Sequence, residues 1–275
     1  MNAPSPKARA AAPEPLISRS DKDGIALLVL NRPQARNTLT EAMLTALTEA
    51  LAAIAADKNV RAVVLAANGP AFCAGHDLKE ITARRSDADG GRGYVKALMD
   101  RCSAMMQSIL RMPQPVIAAV EGVATAAGCQ LIATCDLAIA SKSAKFSTPG
   151  VHIGLFCSTP MVALSRNVSP KHAMEMLLTG DMLAAEEAFR IGLVNRVAAP
   201  GKAQEEAFKL ARKIASKSAL IVKMGKTAFY RQAEMNLADA YRFASDVMVE
   251  NMMVDDAKEG IGAFVDKREP KWEDR

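Results

Sequence analysis

Short apolar runs alternate with helical patterns through the first 140 residues of the chain. Strand-length apolar runs, each bounded by turn residues, lie at residues 25–30, 60–66, 116–120 and 137–140. Between and after them, apolar residues recur at helical spacing over residues 41–56, 94–110 and 126–134. Buried strands that alternate with helices are typical of α/β proteins. The first half of the chain therefore predicts an α/β fold.

The pattern changes after Pro170, where helices dominate. Helical spacing covers residues 170–178, 184–191, 204–216, 220–253 and 256–264. We therefore expect an α/β core over residues 16–200 and a helical region over residues 201–275. A polar stretch at residues 84–94, rich in Gly and Asp, predicts a mobile loop before the helix at 94–110.

Residues 1–15 are rich in Ala and Pro, and we expect them to form a disordered tail. Because the tail has few acidic residues, a mitochondrial targeting segment is the alternative, although its prolines oppose the amphipathic helix that such segments form. The five cysteines are an odd number without a C-x-x-C pair. This pattern favours reduced thiols in a cytosol-like compartment. With three histidines in the chain, we expect no metal site.

The charge pattern narrows the range of partners. A net charge of +5 is modest for 275 residues, and the basic residues are scattered rather than clustered. This favours a small anionic ligand at most, so we expect no nucleic-acid partner. Half of the residues are hydrophobic, yet no apolar run approaches membrane-spanning length, which is roughly 18 residues. We therefore expect no membrane span.

Two runs of small residues carry the clearest chemical signal in the chain. The first is Ala-Gly-His-Asp-Leu-Lys at residues 74–79, and the second covers residues 121–130 and ends in Gly-Cys-Gln. Small residues allow a ligand to approach main-chain N–H groups closely. One N–H donor from each run could meet at a single carbonyl oxygen, which is the arrangement of an oxyanion hole.

These runs, with other motifs in the same order, resemble the crotonase superfamily, also called the enoyl-CoA hydratase/isomerase family. The supporting motifs lie at residues 31–37, 74–80, 115–122, 128–140, 146–147, 180–188, 192–194 and 264–268. The resemblance implies a spiral of ββα units with a C-terminal helical region that drives formation of a homotrimer or homohexamer. It implies a CoA thioester as ligand and no separate cofactor, because coenzyme A is part of the substrate.

The resemblance also assigns roles to individual residues. It places the oxyanion hole at the backbone N–H groups of His76 and Ala127. A helix start at Ala127 fits this role, because helix N-termini favour negative charge. The positions that match coenzyme A contacts are Arg36, Ala74, Gly75, Leu78, Lys79 and Lys267. Lys267 matches a residue that reaches the ligand of a neighbouring subunit.

Two residues that hydration needs are absent by this comparison. Hydratases of the family use a pair of glutamates, and the matching positions here are Gln130 and Gly150. A glutamine can orient a water but does not titrate, and glycine has no side chain. Loss of a positioned acid or base costs about 10²–10⁴-fold in rate for each group. Ordinary hydration is therefore not what this sequence predicts.

Three other side chains are candidates for chemistry. His76 resembles a histidine of the family's methylmalonyl-CoA decarboxylase branch, where it helps to hold an oxygen; the alternative is that it points outward or caps the loop. His152 would face the same way as Gly150 if this segment were extended, and could act as a base or be an ordinary loop histidine. Cys157 could be a nucleophile, although buried cysteines are usually inert. We expect Asp77 to hold its turn by local hydrogen bonds.

Three functional hypotheses follow. The first is an acyl-CoA-binding enzyme of fatty-acid or related metabolism, of lyase type by family, with its reaction open. The second is decarboxylation or isomerisation of a CoA thioester, which needs enolate stabilisation but fewer proton-transfer groups. The third is a non-catalytic binder of acyl-CoA.

Overall fold

A computed structural model describes residues 14–275, so residues 1–13 of the expected tail lie outside the described residues. Its strands are β1 (Ile17–Lys22), β2 (Ile25–Leu30), β3 (Ala62–Ala67), β4 (Ala71–Cys73), β5 (Val116–Val120), β6 (Val123–Thr125), β7 (Leu137–Ser141), β8 (Lys145–Ser147), β9 (Leu183–Ala184) and β10 (Arg196–Ala198). Its helices are α1 (Glu41–Ala56), α2 (Leu78–Ala83), α3 (Arg92–Arg111), α4 (Ala127–Thr134), α5 (Ser158–Asn167), α6 (Pro170–Thr179), α7 (Ala185–Arg190), α8 (Ala203–Ala215), α9 (Ala219–Gln232), α10 (Leu237–Met253) and α11 (Asp255–Val265). No helix in residues 14–275 has the length and apolar character of a membrane crossing.

The strands form two sheets that the chain visits in turn. The larger sheet has the order β1-β2-β3-β5-β7-β10 and is parallel except for the β1–β2 pair. The smaller sheet has the order β4-β6-β8-β9. Each of β3, β5 and β7 is followed by a strand of the smaller sheet and then by helix, so the ββα unit repeats three times. The structure confirms the α/β class and the expected spiral of ββα units, with helices at the C-terminal end.

The middle strands β2, β3 and β5 of the larger sheet are covered on both faces, which explains their apolar sequences. Val63 and Leu65 of β3 join the main core with α1, α3 and α4. Val64, between them, faces the opposite side, where Ala203 and Ala207 of α8 cover the sheet. Small alanines on α8 allow the helix to lie close to the strands.

One long helix has the bounds that the sequence pattern predicts, and two other segments depart from that pattern. Helix α1 has the expected bounds, and the Thr40 side chain caps it by accepting the Met43 N–H at 3.1 Å. The single helix expected at 220–253 is wrong. The chain forms α9 and α10 instead, because the Asn236 side chain accepts the Asp239 N–H at 3.0 Å and starts a new helix. The expected loop at 84–94 is also shorter than predicted, since α3 begins at Arg92.

A buried ion pair ties the C-terminal helices to the larger sheet. The Lys226 ammonium on α9 donates to Asp136 Oδ2 at 2.7 Å and to the carbonyl oxygens of Ile109 and Gln114 at 2.8 and 2.9 Å. Asp136 also accepts the Tyr230 hydroxyl at 3.0 Å. Burial lowers the pKa of Lys226, and the Asp136 carboxylate opposes this shift. Every ammonium donor has a partner, so the cluster stabilises the fold.

We expect Lys226→Met to lower the free energy of unfolding by about 3 kcal/mol, because removal of one partner leaves a buried charge. The matched control is Lys223→Met on the exposed face of the same helix, with an expected change within about 0.5 kcal/mol. Urea unfolding at one fixed protomer concentration measures both. If Lys226→Met and Lys223→Met changed the free energy of unfolding equally, the structural role of the Lys226–Asp136 ion pair would be contradicted.

Candidate active site

The two runs of small residues meet in space, as the sequence predicts. Gly75 lies in the loop after β4 with φ at +88°, a conformation that favours glycine. A Cβ placed on Gly75 would lie 2.9 Å from the Cβ of Ala126 and 3.3 Å from the Ala127 nitrogen. The loop at 74–77 therefore packs directly against the start of α4.

The start of α4 is strained in a way that directs its first N–H group. Ala126 has φ at +50° although it is not glycine, which costs about 1–3 kcal/mol. The Ala126 N–H donates to the carbonyl of Ser147 at 2.9 Å and fixes the turn. In the part of the chain that the structure describes, neither the Ala127 N–H nor the His76 N–H donates a hydrogen bond. Both groups are thus free donors beside the positive end of α4.

Close backbone packing holds α4 in place. A Cβ on Gly128 would lie 2.0 Å from the carbonyl oxygen of Cys73 at the end of β4. No side chain fits at this distance, so glycine sets the separation between strand and helix.

Local hydrogen bonds define the loop after β4. The Asp77 carboxylate accepts the Lys79 N–H at 3.0 Å and caps α2, which confirms its expected structural role. The Leu39 N–H donates to the Gly75 carbonyl at 2.8 Å. The Ala74 N–H donates to the Arg36 carbonyl at 3.0 Å, which places Arg36 beside this loop.

The residues matched to coenzyme A contacts form one local group and one distant residue. Arg36, Leu78 and Lys79 are exposed around the loop at 74–79. Lys267 follows α11 near the end of the chain and makes no hydrogen bond to that loop. The sequence resemblance alone connects it with the same ligand.

His76 is half-buried rather than directed outward. Its Nδ1 lies 3.2 Å from the carbonyl oxygen of Leu39, so Nδ1 carries the proton and Nε2 is the acceptor of the neutral ring. Nε2 is buried and has no hydrogen-bond partner among residues 14–275. Burial lowers the pKa of His76, and the Leu39 carbonyl opposes this shift.

Gln130 lies one turn into α4 and is 5% exposed. Its main-chain N–H donates to the Ala126 carbonyl at 3.0 Å. Its Oε1 atom is buried without a hydrogen-bond partner in the described chain. A buried polar atom without a hydrogen-bond partner costs about 1–3 kcal/mol.

The segment around Gly150 is compact and leaves no room for a side chain. A Cβ on Gly150 would lie 2.9 Å from Cys157 Sγ and 3.0 Å from the Leu155 carbonyl oxygen. The Cys157 thiol thus lies where a side chain at 150 would begin, and burial raises the pKa of this thiol. A protonated thiol is a weak nucleophile.

Residues 150–152 do not meet the condition under which His152 would face the same way as Gly150, because they are not extended. Pro149–Ile153 forms a 3-10 turn. The alternation of side chains in an extended strand, which would place positions 150 and 152 on one face, therefore does not apply. The His152 ring packs on Gly180 at the end of α6, where a Cβ would lie 2.8 Å from its Nε2 atom. The ring thus lies against the C-terminal end of α6.

Tyr94 is a residue that the sequence pattern did not single out. It lies in the first turn of α3, and its hydroxyl is buried without a hydrogen-bond partner in residues 14–275. The Arg84 guanidinium lies 4.9 Å from the ring centroid. Burial raises the pKa of Tyr94, and the nearby Glu80 carboxylate raises it further. In the sequence, Tyr94 marks only the beginning of a helix.

Comparisons with known proteins identify the family of the chain. The profile of the Enoyl-CoA hydratase/isomerase family matches residues 20–275. The chain belongs to this family. It is 46% identical to rat "Enoyl-CoA hydratase domain-containing protein 3, mitochondrial" over 268 residues, which is 96% of this chain and 88% of that protein.

Solved structures of family members superpose along nearly the whole chain. The crystal structure of an enoyl-CoA hydratase from Mycobacterium smegmatis has a TM-score of 0.89 at 52% identity, with 94% of this chain and 99% of that chain covered. The human enoyl-CoA hydratase domain-containing protein 3 has a TM-score of 0.88 at 45% identity, with 94% and 100% covered. The enoyl-CoA hydratase/isomerase family is one whose members bind CoA thioesters.

We expect Gly128→Ala to lower the free energy of unfolding by about 3 kcal/mol, because the new methyl group meets the Cys73 carbonyl at 2.0 Å. The control is Gly225→Ala in α9, where a Cβ meets nothing within 4 Å. Because alanine has a better helix propensity than glycine, this control should raise the free energy of unfolding by up to about 1 kcal/mol. Denaturant unfolding measures the stability of both variants. An unchanged free energy of unfolding in Gly128→Ala would contradict the close packing of Gly128 on the Cys73 carbonyl.

His76 predicts a pH dependence of stability. Because its pKa is lowered in the folded state, the unfolded chain binds more protons below its ordinary pKa of about 6.5. His76 therefore opposes folding progressively as the pH falls below that value. We expect the stability of the wild type relative to His76→Asn to decrease between pH 7 and pH 5 in urea unfolding. A constant or growing advantage at acid pH would be inconsistent with a buried neutral ring.

Proposed function

We propose that the protein binds a CoA thioester and stabilises the enolate of its acyl group with the main-chain N–H groups of His76 and Ala127. The observation that carries this proposal is the pair of free donors where the loop after β4 packs on the start of α4. Donors of this kind contribute about 3 kcal/mol each to lowering the barrier. The dipole of α4 favours the same negative charge.

The ligand class follows from the family and from the charges around the loop. Arg36 and Lys79 provide exposed cations for the phosphates of coenzyme A. Ala74, Gly75 and Leu78 provide backbone and apolar contacts beside them, and Lys267 adds a cation from the C-terminal end. In this proposal coenzyme A is part of the substrate, and the protein needs no further cofactor.

Ordinary hydration is not the reaction that this site favours. Hydration of an enoyl thioester needs one group that accepts a proton and another that donates one. Gln130 does not titrate, and Gly150 is fixed as glycine by its contacts with Leu155 and Cys157. Decarboxylation or isomerisation of a CoA thioester fits better. In decarboxylation the C–C bond to the carboxylate breaks, its electron pair enters the enolate, and CO₂ leaves before a proton from solvent reaches the carbon.

A non-catalytic acyl-CoA binder is the second candidate. The observation that favours it is that neither Gln130, which does not titrate, nor Gly150, which has no side chain, supplies a proton-transfer group. Such a protein would use the same two N–H groups to hold a thioester oxygen without turnover.

We also propose that copies of the chain associate as a homotrimer or homohexamer, in a reducing compartment and in service of fatty-acid or related acyl-CoA metabolism. Large apolar side chains on the C-terminal helices support association, since Leu237, Tyr241 and Phe264 are 75%, 71% and 85% exposed. The name of the rat relative includes "mitochondrial", which keeps the mitochondrial matrix as an alternative to the cytoplasm.

The test of the proposed reaction uses crotonyl-CoA and follows the loss of the enoyl absorbance. We expect wild-type hydration at least 10⁴-fold below ordinary enzyme rates, because each absent acid or base costs about 10²–10⁴-fold. Gln130→Glu should raise the residual rate. The control is Gln130→Met, which keeps the length of the side chain but adds no carboxylate. Wild-type hydration of crotonyl-CoA near ordinary enzyme rates would contradict the claim that hydration needs the two glutamates.

Two further measurements separate the candidate functions. Calorimetric binding of CoA and butyryl-CoA tests the ligand class. CO₂ release from malonyl-CoA, and deuterium uptake at the α-carbon of butyryl-CoA in D₂O, test for enolate chemistry. Binding without either activity favours the acyl-CoA binder, and no binding of any thioester refutes the proposed site.

A further inference from the structure

Tyr94 places a polar atom inside the protein without a partner. Its ring packs against the main core, and its hydroxyl oxygen is buried and makes no hydrogen bond within residues 14–275. A phenylalanine would keep the packing of the ring and avoid the free-energy cost of an unsatisfied buried hydroxyl. Packing of the ring therefore does not account for the hydroxyl.

The turn before α3 holds Tyr94 in place. The Asp89 carboxylate accepts the N–H groups of Gly91 and Gly93 at 2.9 and 2.7 Å. Gly91 has φ at +82°, and a Cβ there would lie 2.7 Å from the Arg84 carbonyl oxygen. The Arg84 guanidinium in turn lies 4.9 Å from the centroid of the Tyr94 ring. Because the backbone and the ring are both held, the hydroxyl has a defined position before any ligand binds.

The segment that leads into α1 connects Tyr94 with the loop of the free His76 N–H. The Leu39 carbonyl oxygen lies 3.2 Å from Nδ1 of His76, and the Glu41 N–H donates to Glu80 Oε2 at 3.2 Å. Burial lowers the pKa of His76, and the Leu39 carbonyl and the Glu80 carboxylate oppose this shift. Burial raises the pKa of Tyr94, and Glu80 raises it further. Glu80 therefore lies close to both Tyr94 and His76.

The charge with the largest effect on the Tyr94 hydroxyl is negative. The Glu80 carboxylate raises the pKa of Tyr94, after burial, more than the Arg84 guanidinium lowers it. The hydroxyl therefore stays protonated at neutral pH and is a hydrogen-bond donor. Glu80 would repel an anionic group beside the hydroxyl. An uncharged oxygen, such as that of a ketone, is the better acceptor at this place.

We propose that the Tyr94 hydroxyl is a specificity-determining group, which donates a hydrogen bond to an uncharged oxygen on the acyl chain of the CoA thioester. The ligand class is then an oxoacyl-CoA rather than a thioester with a plain hydrocarbon chain. This inference rests on the proposed function, which places a thioester at the loop after β4. A hydrocarbon chain would leave the buried hydroxyl without an acceptor, and a site that hydrogen-bonds a polar group discriminates against ligands that lack it.

The experiment compares the calorimetric affinities of the full-length protein for acetoacetyl-CoA and butyryl-CoA, which differ in one oxo group. We expect the wild type to prefer acetoacetyl-CoA by about tenfold. Tyr94→Phe should lose this preference while its affinity for butyryl-CoA changes less than about threefold. The matched control is Tyr241→Phe, at a tyrosine of α10 that is 71% exposed, and it should keep the wild-type preference.

Malonyl-CoA tests the charge of the acceptor, because its acyl group ends in a carboxylate. We expect it to bind the wild type more weakly than acetoacetyl-CoA does, since Glu80 repels the carboxylate. Tighter binding of malonyl-CoA than of acetoacetyl-CoA would overturn the assignment of an uncharged oxygen.

Urea unfolding without ligand tests whether the hydroxyl serves the fold instead. If the hydroxyl donated to Glu80 in solution, Tyr94→Phe would be less stable than the wild type, whereas we expect no loss of stability. A less stable Tyr94→Phe overturns the inference, as does equal wild-type affinity for acetoacetyl-CoA and butyryl-CoA or a preference that survives in Tyr94→Phe. Failure of the wild type to bind any of the three thioesters refutes the proposed function itself, which distinguishes the two failures.

Discussion

The approach of α4 to β4 is the constraint on which the rest of the site depends. A methyl group on Gly128 would meet the Cys73 carbonyl at 2.0 Å, and one on Gly75 would meet Ala126 at 2.9 Å. Both contacts involve the backbone or its first carbon, so the positions of the two free N–H donors do not depend on flexible side chains. Side chains further along α4, such as Gln130, can then differ without loss of the donors. In the proposed function, this separation allows the two N–H groups to bind a thioester oxygen whatever side chain position 130 carries.

The sequence predicts the parts of the fold whose signal is local and long. Helix α1 and strand β5 have the expected bounds, because periodic or continuous apolar residues mark their whole length. Strands β4 and β6 have three residues each, which is too short for a period to show. These short strands nevertheless carry the loop of Gly75 and the start of α4. The sequence identifies that place only through its small residues and the family resemblance, and not through any secondary-structure pattern.

Within the site, residue identity is predictable and orientation is not. The presence of Gln130 and Gly150 is evident from the motifs, yet the reason that position 150 excludes a side chain lies in the turn that brings Leu155 and Cys157 against it. His152 shows the same limit. Its ring packs on Gly180, a contact between distant parts of the chain that neither spacing nor composition contains. An inference from an extended segment therefore fails where a 3-10 turn replaces it.

Hydrogen-bond satisfaction separates two kinds of buried polar group in this protein. Lys226 and Asp136 are buried with partners for each charged atom, as a group that only supports the fold requires. His76 Nε2 and Gln130 Oε1 are buried without partners, at a cost of about 1–3 kcal/mol each. An apolar residue of similar size would avoid that cost at either position. Packing alone therefore does not account for these two atoms, which belong to residues on the loop after β4 and on α4, the two segments that carry the free N–H donors.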